Sequence, residues 1–127
     1  MTINELRHFN YVYLNGYEHP IRKISGFRAY HYPHPMVEIE NVSGLYGIHT
    51  ISPIPITEDI LLKFGAKKHN EYWFSFHTYG IIKHTKFIEF YSCIEGDFIC
   101  NSVQYVHQLQ NLYFALTGED LIFSTEP

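Results

Sequence analysis

The sequence predicts an α+β protein: a bent antiparallel sheet or small β-barrel, with a short middle helix and a C-terminal helix on one side. Three observations carry this. Short runs of strand-forming residues are punctuated by Asn15-Gly16, Ser43-Gly44, Tyr79-Gly80 and Glu95-Gly96, pairs that favour turns. Aromatic residues reach 17%, and their rings suit a pleated, half-buried surface. One stretch near the end repeats its apolar residues at spacings of three and four, which is helical.

The elements follow in order. Asn4-Glu5-Leu6-Arg7 reads as a turn or single helical turn leading into a strand at Tyr11 to Leu14. Asn15-Gly16 folds that strand back onto Ile21 to Phe27. Residues 28–36 form a loop, because Pro33 and Pro35 remove donors and extend their neighbours. Val37 to Asn41 alternates cleanly and should be half-buried, and after Ser43-Gly44 a strand runs from Leu45 to Ile51. Ser52 to Thr57 is an extended connector. Thr57 caps a helix with Glu58 and Asp59 in its first turn, Ile60, Leu61 and Phe64 on its apolar face and Gly65 at its end. Strands are then expected at Tyr72 to Thr78, Ile81 to Lys83, Lys86 to Cys93 and Phe98 to Val103, with turns at Tyr79-Gly80 and Glu95-Gly96. Val106, Leu109, Leu112, Tyr113 and Leu116 mark the last helix, Gly118 caps it, and it should cover the sheet made by the strands before it.

At 127 residues the chain is one domain, 1–127, with 122–127 as a flexible tail. A chain of this size buries roughly two-thirds of its unfolded surface, so it folds without disulfides or metal. Charged residues are 17% and hydrophobic ones 46%, which excludes intrinsic disorder. The net charge is −4, so the domain as a whole lacks the basic footprint of a nucleic-acid binder. The charge is uneven, however. All nine Lys and Arg lie at or before Lys86; that part carries +2 and the last 41 residues carry −6. Two faces of opposite sign are one consequence, and an ordinary solvated surface is the other. No apolar run approaches the length of a membrane span and no signal peptide is evident, so the expectation is a soluble cytoplasmic protein. Cys93 and Cys100 then stay reduced, as buried inert thiols.

No catalytic pattern emerges. There is no G-x-S-x-G elbow, no phosphate-cradling glycine loop and no cysteine at a helix start. Glu38 and Glu40 share a strand face, most simply the solvated one. His31-x-x-His34, with His19 near it, is the best metal-ligand spacing. Its two prolines forbid a helical pair, and loop histidines beside tyrosines read more simply as surface groups. His77 and His84 are placed on neighbouring strands where they face each other, and His49 and His107 are semi-buried. The expectation is a non-enzyme without cofactor or metal.

Binding is the remaining reading. Arg22, Lys23 and Arg28 interleave with Tyr30, His31 and Tyr32 without an acid among them, cations for phosphates beside rings for stacking. Lys63, Lys67, Lys68 and His69 form a second basic patch, although cations at a helix C-terminus stabilise it in their own right. Lys83, His84 and Lys86 form a third. The candidate binding residues are Arg22, Lys23, Arg28, Tyr30 and Tyr32, with Lys67 and Lys68 secondary. The acidic, aromatic C-terminal third offers an alternative surface for a basic groove.

Three stretches together carry a resemblance: INELR…NYVYLNG at 3–16, PIPITEDILLKFG at 53–65 and YVHQLQNLYFALTGEDL at 105–121. In that order and spacing the chain resembles a family of short proteins carried by phages and mobile elements of flavobacterial and related bacteria. The segment 27–36 departs from the pattern, which marks it as this chain's own surface. The resemblance carries no catalytic residues over. It implies an accessory protein that binds and inhibits a host defence nucleoprotein in the bacterial cytoplasm, such as a type VI CRISPR effector with its guide RNA, in the manner of an anti-CRISPR. The alternative is a small regulator that binds single-stranded RNA or DNA. Aromatic content alone does not separate a partner surface from a homo-oligomer seam.

Overall fold

The computed structural model describes residues 5–15, 21–28, 36–94, 96 and 98–124. The strands are β1 (Tyr11–Leu14), β2 (Ile21–Arg28), β3 (Met36–Ile39), β4 (Val42–Gly47), β5 (Ile51–Ser52), β6 (Lys67–Lys68), β7 (Trp73–Phe76), β8 (Tyr79–Lys83), β9 (Ile88–Ser92) and β10 (Phe98–Val103). The helices are α1 (Glu58–Lys63) and α2 (Val106–Thr117). The α+β class, the bent antiparallel sheet and both helices are therefore present. The strands are shared between two five-stranded sheets, ordered β4-β3-β2-β1-β5 and β10-β9-β8-β7-β6. The chain falls into two compact units, Met1–Ile54 with Val106–Asp120, and Pro55–Tyr105 with Leu121–Pro127.

In the first unit β1 pairs with β2 as the sequence implies, Val12 opposite Arg22; the turn expected at Asn15-Gly16 runs into 16–20, outside the described residues. Val37 and Ile39 of β3 are buried with their odd-numbered alternation intact. Leu6, Val12, Leu14, Ile24, Val37, Ile39 and Ile51 form one core, with Phe27, Val42, Tyr46 and Ile48 packed against it. The strand expected from Leu45 to Ile51 is interrupted by a 3-10 turn at Ile48–Thr50, closed by the Thr50 hydroxyl on the Gly47 carbonyl (2.7 Å).

The last helix belongs to this unit and not to the sheet that precedes it in sequence. β5 reaches only Tyr13 and Leu14 of β1, so the backbone at Phe9 and Tyr11 needs another partner. Gln110 of α2 supplies it. Its side-chain carbonyl accepts from the Tyr11 N–H (2.8 Å) and its amide donates to the Phe9 carbonyl (2.9 Å). Asn10 donates to Asn111 (2.9 Å), and Asn111 donates to the Glu5 carbonyl (2.7 Å). The inward stripe is correspondingly shifted: Val106, Leu109 and Tyr113 are buried as expected, together with His107 and Gln110, while Leu116 is exposed. His107, expected to be semi-buried, is 1% exposed, and His49 is exposed. Gly118 caps the helix with a left-handed φ of 75° and an N–H to Phe114 (2.8 Å).

In the second unit Thr57 caps α1 as its sequence implies, its hydroxyl accepting from the Ile60 N–H (3.3 Å). Gly65 follows at φ 92°. β6 to β10 form a meander in which Phe74, Phe76, Ile81, Ile88 and Phe90 are buried on one face. The turn expected at Tyr79-Gly80 lies instead at His77 and Thr78, and Tyr79 pairs with Phe76. His77 takes a φ of 46°, a left-handed conformation that His tolerates better than bulky branched residues. His77 and His84 thus stand at opposite ends of β8 and do not face each other. Of the segment 122–127 assigned to a tail, Phe123 is buried and lies 4.7 Å from the Phe64 ring, and Ser124 bonds to the Lys63 carbonyl. Residues 125–127 lie outside the described ones.

Candidate nucleic-acid interface

The outer face of the second sheet follows from its register. Trp73 and Ser75 on β7 oppose Ile82 and Gly80 on β8, which oppose Glu89 and Tyr91 on β9. Lys67 on β6 opposes Ser75. Alternation along a strand puts all of these on the face opposite the buried phenylalanines. Gly80 has a reason here other than the turn expected of it. A Cβ at this position would lie 2.2 Å from Cζ of Tyr91. Its absence lets Tyr91 lie across β8 to reach Trp73, with which it shares a side-chain hydrogen bond. Burial raises the Tyr91 phenol above its ordinary 10.0, against the lowering effect of that hydrogen bond.

His69 completes the platform. Its ring stacks on Trp73 at 4.1 Å, and Nε2 lies 2.8 Å from the Ser75 hydroxyl. Asn70 fixes the turn that delivers these rings by accepting from the N–H groups of Tyr72 (3.0 Å) and Trp73 (2.9 Å), a side-chain-closed turn that Asn is suited to make. Tyr72 is 57% exposed and Trp73 38%.

The cations gather at the same end of the sheet. β6 ends, β7 begins and β8 ends there, and the Lys83 N–H bonds to the Tyr72 carbonyl (2.7 Å). A tight turn from His84 to Phe87 follows, closed by the His84 N–H on the Phe87 carbonyl (2.9 Å), with the two rings stacked at 4.5 Å. Lys68 is ion-paired with Glu58, and the hydrogen bond raises its pKa above 10.5. His84 lies 3.4 Å from Glu89. Among the described residues no carboxylate stands within ion-pair distance of Lys67, Lys83 or Lys86. The Lys83 ammonium donates to the His84 carbonyl (3.5 Å).

The candidates named from the sequence fall in both units. Arg22 and Lys23 lie on β2 of the first, where Lys23 pairs with Glu40 at 3.5 Å and its side chain is only 13% exposed. Lys23 is thus a largely committed charge. The backbone of Arg28 pairs with Met36; its side chain, with Tyr30, Tyr32, His31 and His34, lies outside the described residues. Lys67 and Lys68 lie on β6, an edge strand and not the helix terminus expected; only Lys63 sits in the last turn of α1. The two secondary basic patches thus meet at one end of one sheet. Tyr72 and Trp73 were missed, although they sit between those patches. A hairpin centred at 77 and 78 pairs 73 with 82, and so carries 67–73 to the same end as 83–86. Placing that turn correctly was the signal needed.

Cys93 is exposed and Cys100 half-buried, so neither is the buried thiol expected. Among the described residues no three His, Cys, Asp or Glu side chains come together as metal ligands, and no helix is long and apolar enough to cross a membrane. The chain matches no protein-family model, no curated protein and no solved structure.

Proposed function

We propose that this protein is a non-catalytic binding protein that docks on a host defence nucleoprotein, of which a CRISPR effector with its guide RNA is one kind. One observation carries the surface assignment: two basic stretches of sequence, 67–69 and 83–86, converge on one end of the second sheet with Tyr72 and Trp73 exposed between them. Aromatic anchors ringed by charge are what a docking surface needs for affinity and for steering. The partner class comes from the family resemblance.

The test is a tagged pull-down from host lysate, read by mass spectrometry, with wild type beside a K67E/K86E double variant. One protein retained by the wild type and lost by the variant is the expected result. Identical profiles from the two proteins would refute the surface assignment. A free-standing single-strand-binding regulator is the second reading, favoured by the exposed ring of Tyr72, and it requires no protein partner.

A further inference from the structure

We infer that this end of the second sheet holds a single strand of nucleic acid, its phosphates against Lys83 and Lys86 and an unpaired base on the neighbouring Tyr72. The inference rests on the same surface as the proposed function but names what that surface touches.

The groove consists of two adjoining hollows. One, of about 790 Å³, is lined by residues 83–87 and Gln104. The other, of about 270 Å³, shares Thr85, Lys86, Phe87 and Gln104 and continues to Pro55, Ile56 and Tyr105. The two hollows adjoin through these shared residues, and the backbone bond from Ile56 to Gln104 (3.3 Å) and the bridge between Pro55 and Tyr105 hold the second. An enclosed apolar cavity would suit a small molecule; open hollows of this kind suit a chain.

Charge decides what kind of chain. Lys83 and Lys86 line the larger hollow, and neither has a carboxylate at ion-pair distance among the described residues. Neighbouring Lys68 and His84 are already matched by Glu58 and Glu89. Positive charge with no facing carboxylate among the described residues fits a polyanion. Thr85 adds a hydroxyl for base edges or sugar hydroxyls.

The rings separate single strand from duplex. Bases of a duplex bury their faces in the stack, whereas a single strand presents them, and stacking on exposed aromatics is how such strands are gripped. The Lys83 N–H bonds to the Tyr72 carbonyl, so the exposed Tyr72 lies opposite Lys83 across this strand pair. Trp73, stacked on His69, turns to the other face of the sheet with Ile82.

The experiment titrates the full chain with a labelled single strand of roughly 12 nucleotides, within the span that small folds cover, and with its matching duplex. Anisotropy reports binding. The single strand should bind, the duplex only weakly. Two to three lysine contacts should give a log–log salt slope of about −1.4 to −2.1, at roughly −0.7 for each phosphate. Y72A should weaken binding about 5- to 150-fold, the range of one lost stacked base. K86E, in an exposed turn, should weaken binding and flatten the slope while melting normally. K23Q, in the first unit, should leave the affinity for the strand unchanged.

Unchanged affinity in a normally melting K86E, equal binding of duplex, or displacement of the strand by a polyglutamate peptide at equal concentration would each overturn the inference. Strand binding without a retained nucleoprotein in the pull-down would sink the proposed function and keep the groove. A nucleoprotein retained after RNase by a protein that ignores the free strand would do the reverse.

Discussion

The two sheets have the same number of strands and opposite uses for their polar and aromatic residues. The first unit buries polar groups: Asn10, His107 and Gln110 are each 3% exposed or less; Gln110 bonds to the backbone around β1, Asn10 to the side chains of Gln110 and Asn111, and His107 to the Glu5 carboxylate. The second exposes large aromatic ones, Tyr72 and Trp73, on a face whose reverse side is packed with phenylalanine. A buried amide and an exposed indole are both departures from the usual partition, and each therefore has a reason. In the first unit the reason is assembly, because Gln110 substitutes for a strand that β5 is too short to provide. In the second, the proposed reason is contact with a partner.

The comparison breaks most sharply at Gln110. Q110A leaves the Tyr11 N–H and the Phe9 carbonyl without their partner, at about 1–3 kcal/mol for each buried group. Urea denaturation should show the loss, whereas W73A should cost less, on the order of 1 kcal/mol for its contacts with His69 and Tyr91.

The next effect is a dependence on pH confined to the first unit. Burial pushes the His107 imidazole below its ordinary 6.5, with the hydrogen bond to Glu5 opposing it. The unfolded chain therefore takes up this proton first as pH falls. Stability should be full above about 6.5 and decline below it, by at most about 1.4 kcal/mol per pH unit for one proton. H107Q should flatten that profile; a profile identical to wild type would assign the effect to other groups.

A smaller change sharpens the second half of the comparison. G80A forces the Tyr91 ring away from β8 and breaks its hydrogen bond to Trp73. The loss should be about 1 kcal/mol, with a clear change in Trp73 emission. The smallest effect is at Glu58. E58Q should not move the unfolding midpoint, since its bond to Lys68 is exposed and such pairs are weak. By releasing Lys68 it should instead raise affinity for an anionic strand.

Much of the fold was legible because its signals are local. The Thr57 cap, the Gly65 and Gly118 terminators and the alternation at Val37 and Ile39 depend on neighbours a few residues away. Two things were not. The docking of α2 on β1 rests on Gln110, whose role is set by a strand ending short some sixty residues earlier in the chain. The Tyr79-Gly80 pair reads as a turn from composition, yet the close approach of Tyr91 is what requires the glycine. The candidate site was legible in its cations, Lys67 and Lys68 and the 83–86 group, and illegible in its rings, because an error in one hairpin's centre hid which residues meet.

The bond from Gln110 to Tyr11 spans 99 residues, and that length becomes a waiting time during translation. At roughly 5–20 residues per second, β1 leaves the ribosome about 5–20 s before its helical partner exists. Over that interval its flank beside Tyr11 is an open sheet edge, the kind of surface that pairs with a neighbouring chain. Ribosomes following one another along a message would display identical open edges side by side, so the timing of α2 synthesis sets how long newly made chains are exposed to mispairing.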